Sequence, residues 1–286
     1  MGSRKLKKAI GELRRGVGIA RQAGPGRGVV FVQKEILQNG LTRLRAKWNL
    51  GSDAQRVECN LCGWRGPSFL THVAGDYMDT NCFCPQCHSY PRHRGFAWLL
   101  QNGLGTQLAE LEPAGGLRLV FAPESGMLRL LGAQLSRLEG VDLHPINEHV
   151  VHLEDLQELS FGDDSVDFIS CFHVLEHVPK DLQALGEMRR VLRPAGRLIL
   201  CVPTSFGRRE TIDYGGPNPR MNEHCFDYGE DFVERLLGAG FSGTSYRLLD
   251  VVPADLHTRL GMVQEEVFLL QGTPAGEAPS ITPYSV

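Results

Sequence analysis

The sequence predicts an α/β chain: a parallel sheet wrapped by helices over residues 117–270, preceded by a cysteine-rich module and a basic helical arm. Three observations predict it. Short apolar runs alternate with amphipathic segments from residue 117 onward. Five of the eight cysteines (Cys59, Cys62, Cys82, Cys84, Cys87) fall within 29 residues. The net charge of −3 conceals a basic start: residues 1–50 carry 12 Lys/Arg against two acids, and the rest is acidic.

At 286 residues and 42% hydrophobic the chain is long and apolar enough to bury a real core. That excludes a disordered chain or a mini-protein scaffold. Its longest apolar runs, Val29–Val32 and Leu198–Val202, fall far short of the ~18 residues of a membrane span. Met1–Lys8 is basic, but Ala9–Arg15 is not the apolar core of a secretory signal. A cytoplasmic protein is expected, with peripheral membrane attachment open through the arm.

The arm covers residues 1–55. Leu6, Ile10, Leu13 and Val17 make one apolar stripe among Lys and Arg. Gly24-Pro25-Gly26 breaks it, and Ile36, Leu37, Leu41, Leu44 and Trp48 form a second. Such helices pack on the protein's own body, lie on an anionic membrane surface, or meet nucleic acid. Residues 56–95 are the cysteine-rich module. The main domain is expected over 96–272 and opens with a connecting helix to residue 112. Strands are predicted at 117–122, 138–143, 150–153, 166–171, 197–203, 245–252 and 263–270. Pro179–Leu192 reads as a helix with Leu182, Leu185, Met188 and Leu192 on one face, and Tyr228–Leu237 as another, closed by Gly238 and Gly240. Residues 273–286 read as a flexible tail.

Cys59-x-x-Cys62 and Cys84-x-x-Cys87 are two pairs 21 residues apart. Each puts two thiolates on one tight turn, and two facing turns make the tetrahedral sulfur cage that Zn2+ prefers. Four thiolates leave no open position, so the zinc is structural. Cys82 is an alternative to Cys84; His72, His88 and His93 are nearby, and Tyr90–Arg94 is basic enough to reach an anion. A redox dithiol needs only one pair, and an iron–sulfur cluster is the lesser metal option.

In an open parallel sheet, ligands bind beyond the carboxyl ends of the strands. Asp142 ends the second strand, where a carboxylate accepts both hydroxyls of a ribose; the competing role is a helix N-cap. Asp155 lies just past the third strand, placed to receive an adenine amino group.

From about residue 117 to 270 the chain resembles class I S-adenosylmethionine-dependent methyltransferases, in particular the type 11-like group that acts mostly on small molecules. The resemblance is carried by Gly140–Pro145, Asp155–Asp167, His173-Val174-Leu175-Glu176-His177-Val178 and Leu192–Leu198. It implies a Rossmann-like seven-stranded sheet whose last strand is antiparallel. It implies that Asp142 and Leu143 meet the cofactor ribose, that Asp155 and Leu156 flank the adenine, and that His173 lines the pocket beside the sulfonium. The family's glycine-rich first loop is replaced here by Ala122-Pro123-Glu124-Ser125 before Gly126, with Phe121 where an acid usually stands. A subgroup with an upstream four-cysteine ribbon carries a similar Ala-Pro-Glu loop, so this is a variant in which Glu124 supplies the charge. His177 and His224 are the candidate catalytic bases, although Glu176-His177 also suits the start of a helix.

The expected activity is methyl transfer from S-adenosylmethionine to a small-molecule, sugar or lipid-linked acceptor. Residues 205–228 are too long for a plain connection and suit a substrate lid. Within them Arg208, Arg209 and Arg220 suit an anionic acceptor. The alternatives are an RNA methyltransferase gripping RNA with ribbon and arm, and a non-catalytic adaptor on the same fold. The acidic body disfavours RNA.

Overall fold

A computed structural model describes residues 39–40, 56–74, 77–111 and 115–284. The arm expected over 1–55 therefore lies outside the described residues, apart from Asn39, Gly40. The chain divides into two compact units: Met1–Arg94 with Pro219–Asn222 and Asp255–Met262, and the remainder.

The first unit is built on two small hairpins. β1 (Val57–Glu58) pairs antiparallel with β2 (Arg65–Gly66), and β3 (Leu70–Ala74) with β4 (Tyr77–Phe83). The side chain of the helical Asn39 docks on β3, its amide oxygen accepting the Thr71 N–H at 2.9 Å and its amide nitrogen donating to the Thr71 carbonyl at 3.0 Å. Two-stranded pieces this short are marginal by themselves, so the unit needs other anchors. One is Arg94, wholly buried. Its guanidinium donates to the carbonyls of Ser89 (2.8 Å), Cys82 (2.9 Å), Gly261 (3.2 Å) and Leu260, and lies 3.8 Å over the Phe69 ring. Burial pulls its pKa down to about 10, so it stays charged at pH 7. The basic Tyr90–Arg94 segment thus spends Arg94 on interior carbonyls rather than on an external anion. Arg94→Ala would strip its guanidinium from four carbonyls, of which Ser89 O keeps the Cys84 N–H at 3.0 Å. We expect it to cost this unit about 3–5 kcal/mol, read as lost amide-exchange protection in β1–β4.

The helix Pro91–Leu99 begins five residues before the expected connecting helix, because Pro91 suits a first helical position. It is interrupted near Asn102 and Gly103, where Gly103 takes φ 125°, and resumes at Gly105–Ala109.

The second unit is one eight-stranded sheet: β5 (Leu117–Phe121), β6 (Leu138–Asp142), β7 (Val150–Leu153), β8 (Val166–Phe172), β9 (Leu192–Val202), β12 (Phe241–Arg247), β13 (Glu266–Gly272) and β14 (Ile281–Pro283). Between β9 and β12 a separate hairpin forms from β10 (Ile212–Asn218) and β11 (His224–Asp227). The sheet order is β14-β12-β13-β9-β8-β5-β6-β7. Neighbours are parallel except at β13, which runs antiparallel to both β9 and β12. The strand expected to be antiparallel is so, but the sheet has eight strands rather than seven.

The extra strand corrects the expected flexible tail. β14 pairs parallel with β12, and Tyr284 stacks on Tyr246 at 5.0 Å. The Pro- and Gly-rich stretch before it is a connection, not a loose end. Residues 248–251, expected in a strand, are a helical turn, and β12 starts at Phe241 instead.

Every residue of β8 is buried, as a central strand covered on both faces requires. The helix Asp181–Val191 covers one face through Ala184, Leu185, Met188 and Val191. Leu182, expected on that face, is 56% exposed. The helix begins at Asp181, and its buried positions there are Asp181, Ala184 and Leu185. Asp181 is buried because it holds Arg235 at 2.8 Å and accepts the Tyr228 hydroxyl at 3.2 Å.

Candidate functional site

The chain order runs outward from β5 through β6 to β7, then jumps back to β8 and on to β9. The order reverses between β5 and β8, which opens a crevice at their carboxyl ends. Two loops flank it, Ala122–Ser125 after β5 and His173–His177 after β8. Each starts on a non-glycine residue in the left-handed region: Ala122 at φ 47° and His173 at φ 53°. That conformation is costly for a residue with a Cβ and is held by its surroundings. Ala122 N–H donates to Val141 O and His173 N–H to Cys201 O, both at 2.9 Å.

Pro123 is buried, and its carbonyl accepts the Asn147 side-chain amide at 3.0 Å. Gly140 makes this possible, since a Cβ there would collide with the His149 carbonyl and the Pro123 ring. Glu124 is half-buried and Ser125 exposed, with its hydroxyl 3.2 Å from His149. Asp142 ends β6 beside this loop. It caps no helix; its Oδ1 accepts the His144 N–H at 2.9 Å. Leu143, next to it, is 57% exposed. Asp155 holds its own loop through the Gln157 backbone N–H at 2.9 Å. Leu156, expected beside an adenine, is buried at the edge of this loop and packs into the main core.

His173 bridges two carboxylates. Its Nε2 is 2.9 Å from Glu265 and its Nδ1 is 3.7 Å from Glu176. Glu265 precedes β13, and the antiparallel course of that strand delivers it to the carboxyl edge of the sheet. Glu176 is fully buried, with the His177 ring 4.0 Å away. His177 meets the His224 ring edge-on at 4.7 Å, and its Nδ1 lies 3.3 Å from the Glu223 carbonyl. The two candidate bases thus come together, 47 residues apart in sequence. Burial first, and then His177 and His173, hold the pKa of His224 down to about 4, so it is neutral at pH 7 and weakly basic. Glu265 and the Glu223 carbonyl were not visible in the sequence. Glu265 lies 92 residues from His173 and belongs to no local pattern.

The long segment after β9 is the β10–β11 hairpin, and Arg208 fastens it. Arg208 donates to the Asp227 carboxylate at 2.7 Å and to its carbonyl, so it is not free for an anionic acceptor. Arg208 lowers the pKa of Asp227. The contribution is present above the unfolded carboxylate range and is lost as pH falls through the lower folded value. Thermal melts should therefore lose about 1 kcal/mol below about pH 4, and Arg208→Ala should remove that slope.

The first unit carries a second cluster. The Sγ atoms of Cys59, Cys62, Cys84 and Cys87 all lie within 4.8 Å of one another. Cys59–Cys87 is 3.5 Å and Cys62–Cys84 is 3.7 Å. A tetrahedron with Zn–S bonds of about 2.3 Å has edges near 3.8 Å, so the donors fit zinc. The two turns are alike. In each, the N–H four residues after the first cysteine donates to that cysteine's carbonyl, from Gly63 (φ 72°) and from His88 (φ 62°). Hydrogen bonds from Cys59 and Cys84 hold the Cys87 thiol down, while those with Cys59 and Cys87 push Cys84 up and burial pushes Cys62 up to about 11, so the four do not ionise together without a cation. Cys82 lies outside the quartet, bonded to Asp79 O at 3.5 Å. His72 and His88 stack against Phe83. Arg65 and Arg259 both engage Glu58. No described helix is long and apolar enough to cross a membrane.

Residues 109–246 match a family described as a methyltransferase domain. A protein of a Streptomyces fradiae transposon is 47% identical over 64 residues, 22% of this chain and 18% of that one. The demethylmenaquinone methyltransferase of Staphylococcus haemolyticus is 45% identical over 62 residues, 22% of this chain and 25% of that one. The matches thus span a quarter or less of those relatives' own lengths. Among solved structures, a putative sarcosine dimethylglycine methyltransferase from Galdieria sulphuraria aligns with TM-score 0.45 at 16% identity, over 62% of this chain and 84% of that one.

Proposed function

We propose, from the methyltransferase domain matched over residues 109–246, that this chain is an S-adenosylmethionine-dependent methyltransferase acting on a small-molecule acceptor. The observation that carries this reading is Asp142 at the carboxyl end of β6, beside a crevice where the strand order reverses. The residues present fit the cofactor. Asp142 would hold the ribose hydroxyls, with Leu143 and Asp155 on the nucleoside side. Ala122–Ser125 would face the methionine end, where the left-handed turn at Ala122 does a glycine's work of bringing backbone close. When bound, the cofactor would supply a sulfonium methyl to an acceptor lone pair, with the neutral thioether as the leaving group. His173 lines the crevice floor, held in place by Glu265. His177 and His224 border the acceptor side and act on the acceptor's attacking atom. In this reading the chain needs mainly to hold acceptor, methyl and sulfur in line.

The four thiolates hold a structural zinc that stands in for the core the small unit lacks. A small acceptor is favoured by the demethylmenaquinone methyltransferases among the relatives; sugar and lipid-linked acceptors are the alternatives beside it. The test is transfer of a radiolabelled methyl group from S-adenosylmethionine into cell extract, fractionated into small molecules, lipids and RNA. Label in the small-molecule or lipid fraction is expected. Label in RNA would overturn the acceptor class.

A further inference from the structure

Glu176, His177 and His224 are arranged as a metal site distinct from the four cysteines. One carboxylate oxygen and one ring nitrogen from each histidine lie within 4.8 Å of one another. Cis ligands on a divalent ion with bonds of about 2.1 Å stand roughly 3.0–3.4 Å apart, so closure needs about 1 Å of adjustment. The surroundings set the ring nitrogens for this. The outer nitrogen of His177, Nδ1, faces the Glu223 carbonyl at 3.3 Å and carries the proton. Its Nε2, 4.0 Å from Glu176, is then the nitrogen turned toward the carboxylate. His173 repeats the pattern: Nε2 is held by Glu265 at 2.9 Å and Nδ1 faces Glu176 at 3.7 Å. Ring nitrogens and a carboxylate oxygen converge on one volume, the donor types a borderline divalent cation takes. The Glu223 carbonyl behind His177 and the Glu265 carboxylate behind His173 are the usual kind of support of metal-ligating imidazole.

We propose that Glu176, His177 and His224 bind a divalent cation of the borderline class, such as Zn2+, Co2+ or Fe2+, with His173 bordering the site. Three protein ligands leave positions open. These face the acceptor side of the crevice, and they suit an acceptor oxygen such as a hydroxyl or enol. This deepens the methyltransferase reading and rests on it for the acceptor's role. It makes His177 and His224 ligands rather than general bases.

The test counts metal in the full-length chain and reads its ligands with Co2+. Wild type, Glu176→Gln and His224→Ala are stripped with chelator, reloaded with excess Co2+ and desalted. Wild type is expected to hold two equivalents. One gives intense sulfur-to-cobalt charge transfer from the cysteine quartet; the other gives only weaker d–d bands. Both variants should keep the sulfur band and lose the second equivalent. His224 is half-buried where Glu176 is fully buried, so its variant is expected to retain a fold even where Glu176→Gln does not. One equivalent in wild type, or two in a folded His224→Ala, overturns the proposal. Titration of S-adenosylmethionine into the same samples separates the two readings. Cofactor binding with no second metal sinks only the site proposed here, whereas a second metal with no cofactor binding sinks the methyltransferase reading.

Discussion

Removing zinc from the cysteine quartet is expected to unfold the first unit. Structural zinc contributes apparent binding energies of about 10–16 kcal/mol at pH 7 in small modules. The described pieces around the quartet offer little else: β1 and β2 are two residues each. The buried cluster there comprises Val57, Cys59, Phe69 and Cys84, so two of its four members are themselves ligands. Without metal, thiolates brought within 4.8 Å repel and must take up protons. The measurement is amide hydrogen exchange of the whole chain with and without a strong chelator. Protection should collapse in β1, in the turns 59–63 and 84–88 and in β4, by at least about 100-fold (about 2.7 kcal/mol). It should survive in β5, β8 and β9, whose residues are buried in the sheet. Cys59→Ser should reproduce the collapse, and Cys82→Ser should not, because Cys82 stands outside the quartet. Unchanged protection after chelation would sink the zinc assignment.

The two kinds of prediction were not equally legible in the sequence. The cysteine quartet was readable because its chemistry is local: two ligands per turn, and spacing that defines the turn. The central strands were readable because burial on both faces leaves a run such as Val166–Phe172 with no exposed position. Asp142 was readable because a strand end fixes where its side chain sits. What was missed depends on contacts between distant segments. β14 exists because β12 offers an open edge to residues 281–283, and nothing in those three residues announces it. Glu265 reaches His173 only because β13 runs against its neighbours. Arg94 looked like a surface cation, since a sequence window cannot show four carbonyls closing around it. Leu182 was misassigned for the converse reason. Periodicity gives the apolar face of a helix only to within a residue.

Asp142→Ala is expected to weaken S-adenosylmethionine binding by about 100-fold or more. The estimate follows from hydrogen bonds to a charged group, each about 1.5–3 kcal/mol; losing two from a ribose gives at least about 2.7 kcal/mol, or 100-fold. The variant should fold normally. Asp142 is half-exposed, and its described bond within the chain is the local one to the His144 N–H. Asp142→Asn separates the two contributions. It keeps an acceptor for His144 but lacks the charge, so it should bind between wild type and Asp142→Ala. Calorimetric titration of the three proteins is decisive because the glycine-poor loop makes the outcome informative. If wild type binds and Asp142→Ala does not, the nucleoside end carries the affinity, and Ala122–Ser125 does without the usual glycines. If Asp142→Ala binds like wild type, the ribose is held elsewhere and the site as drawn is wrong. If wild type itself does not bind when its zinc is in place, the chain keeps the sheet and the crevice without the cofactor. The adaptor reading then replaces the enzyme, because a crevice built on strained turns at Ala122 and His173 would serve some other ligand.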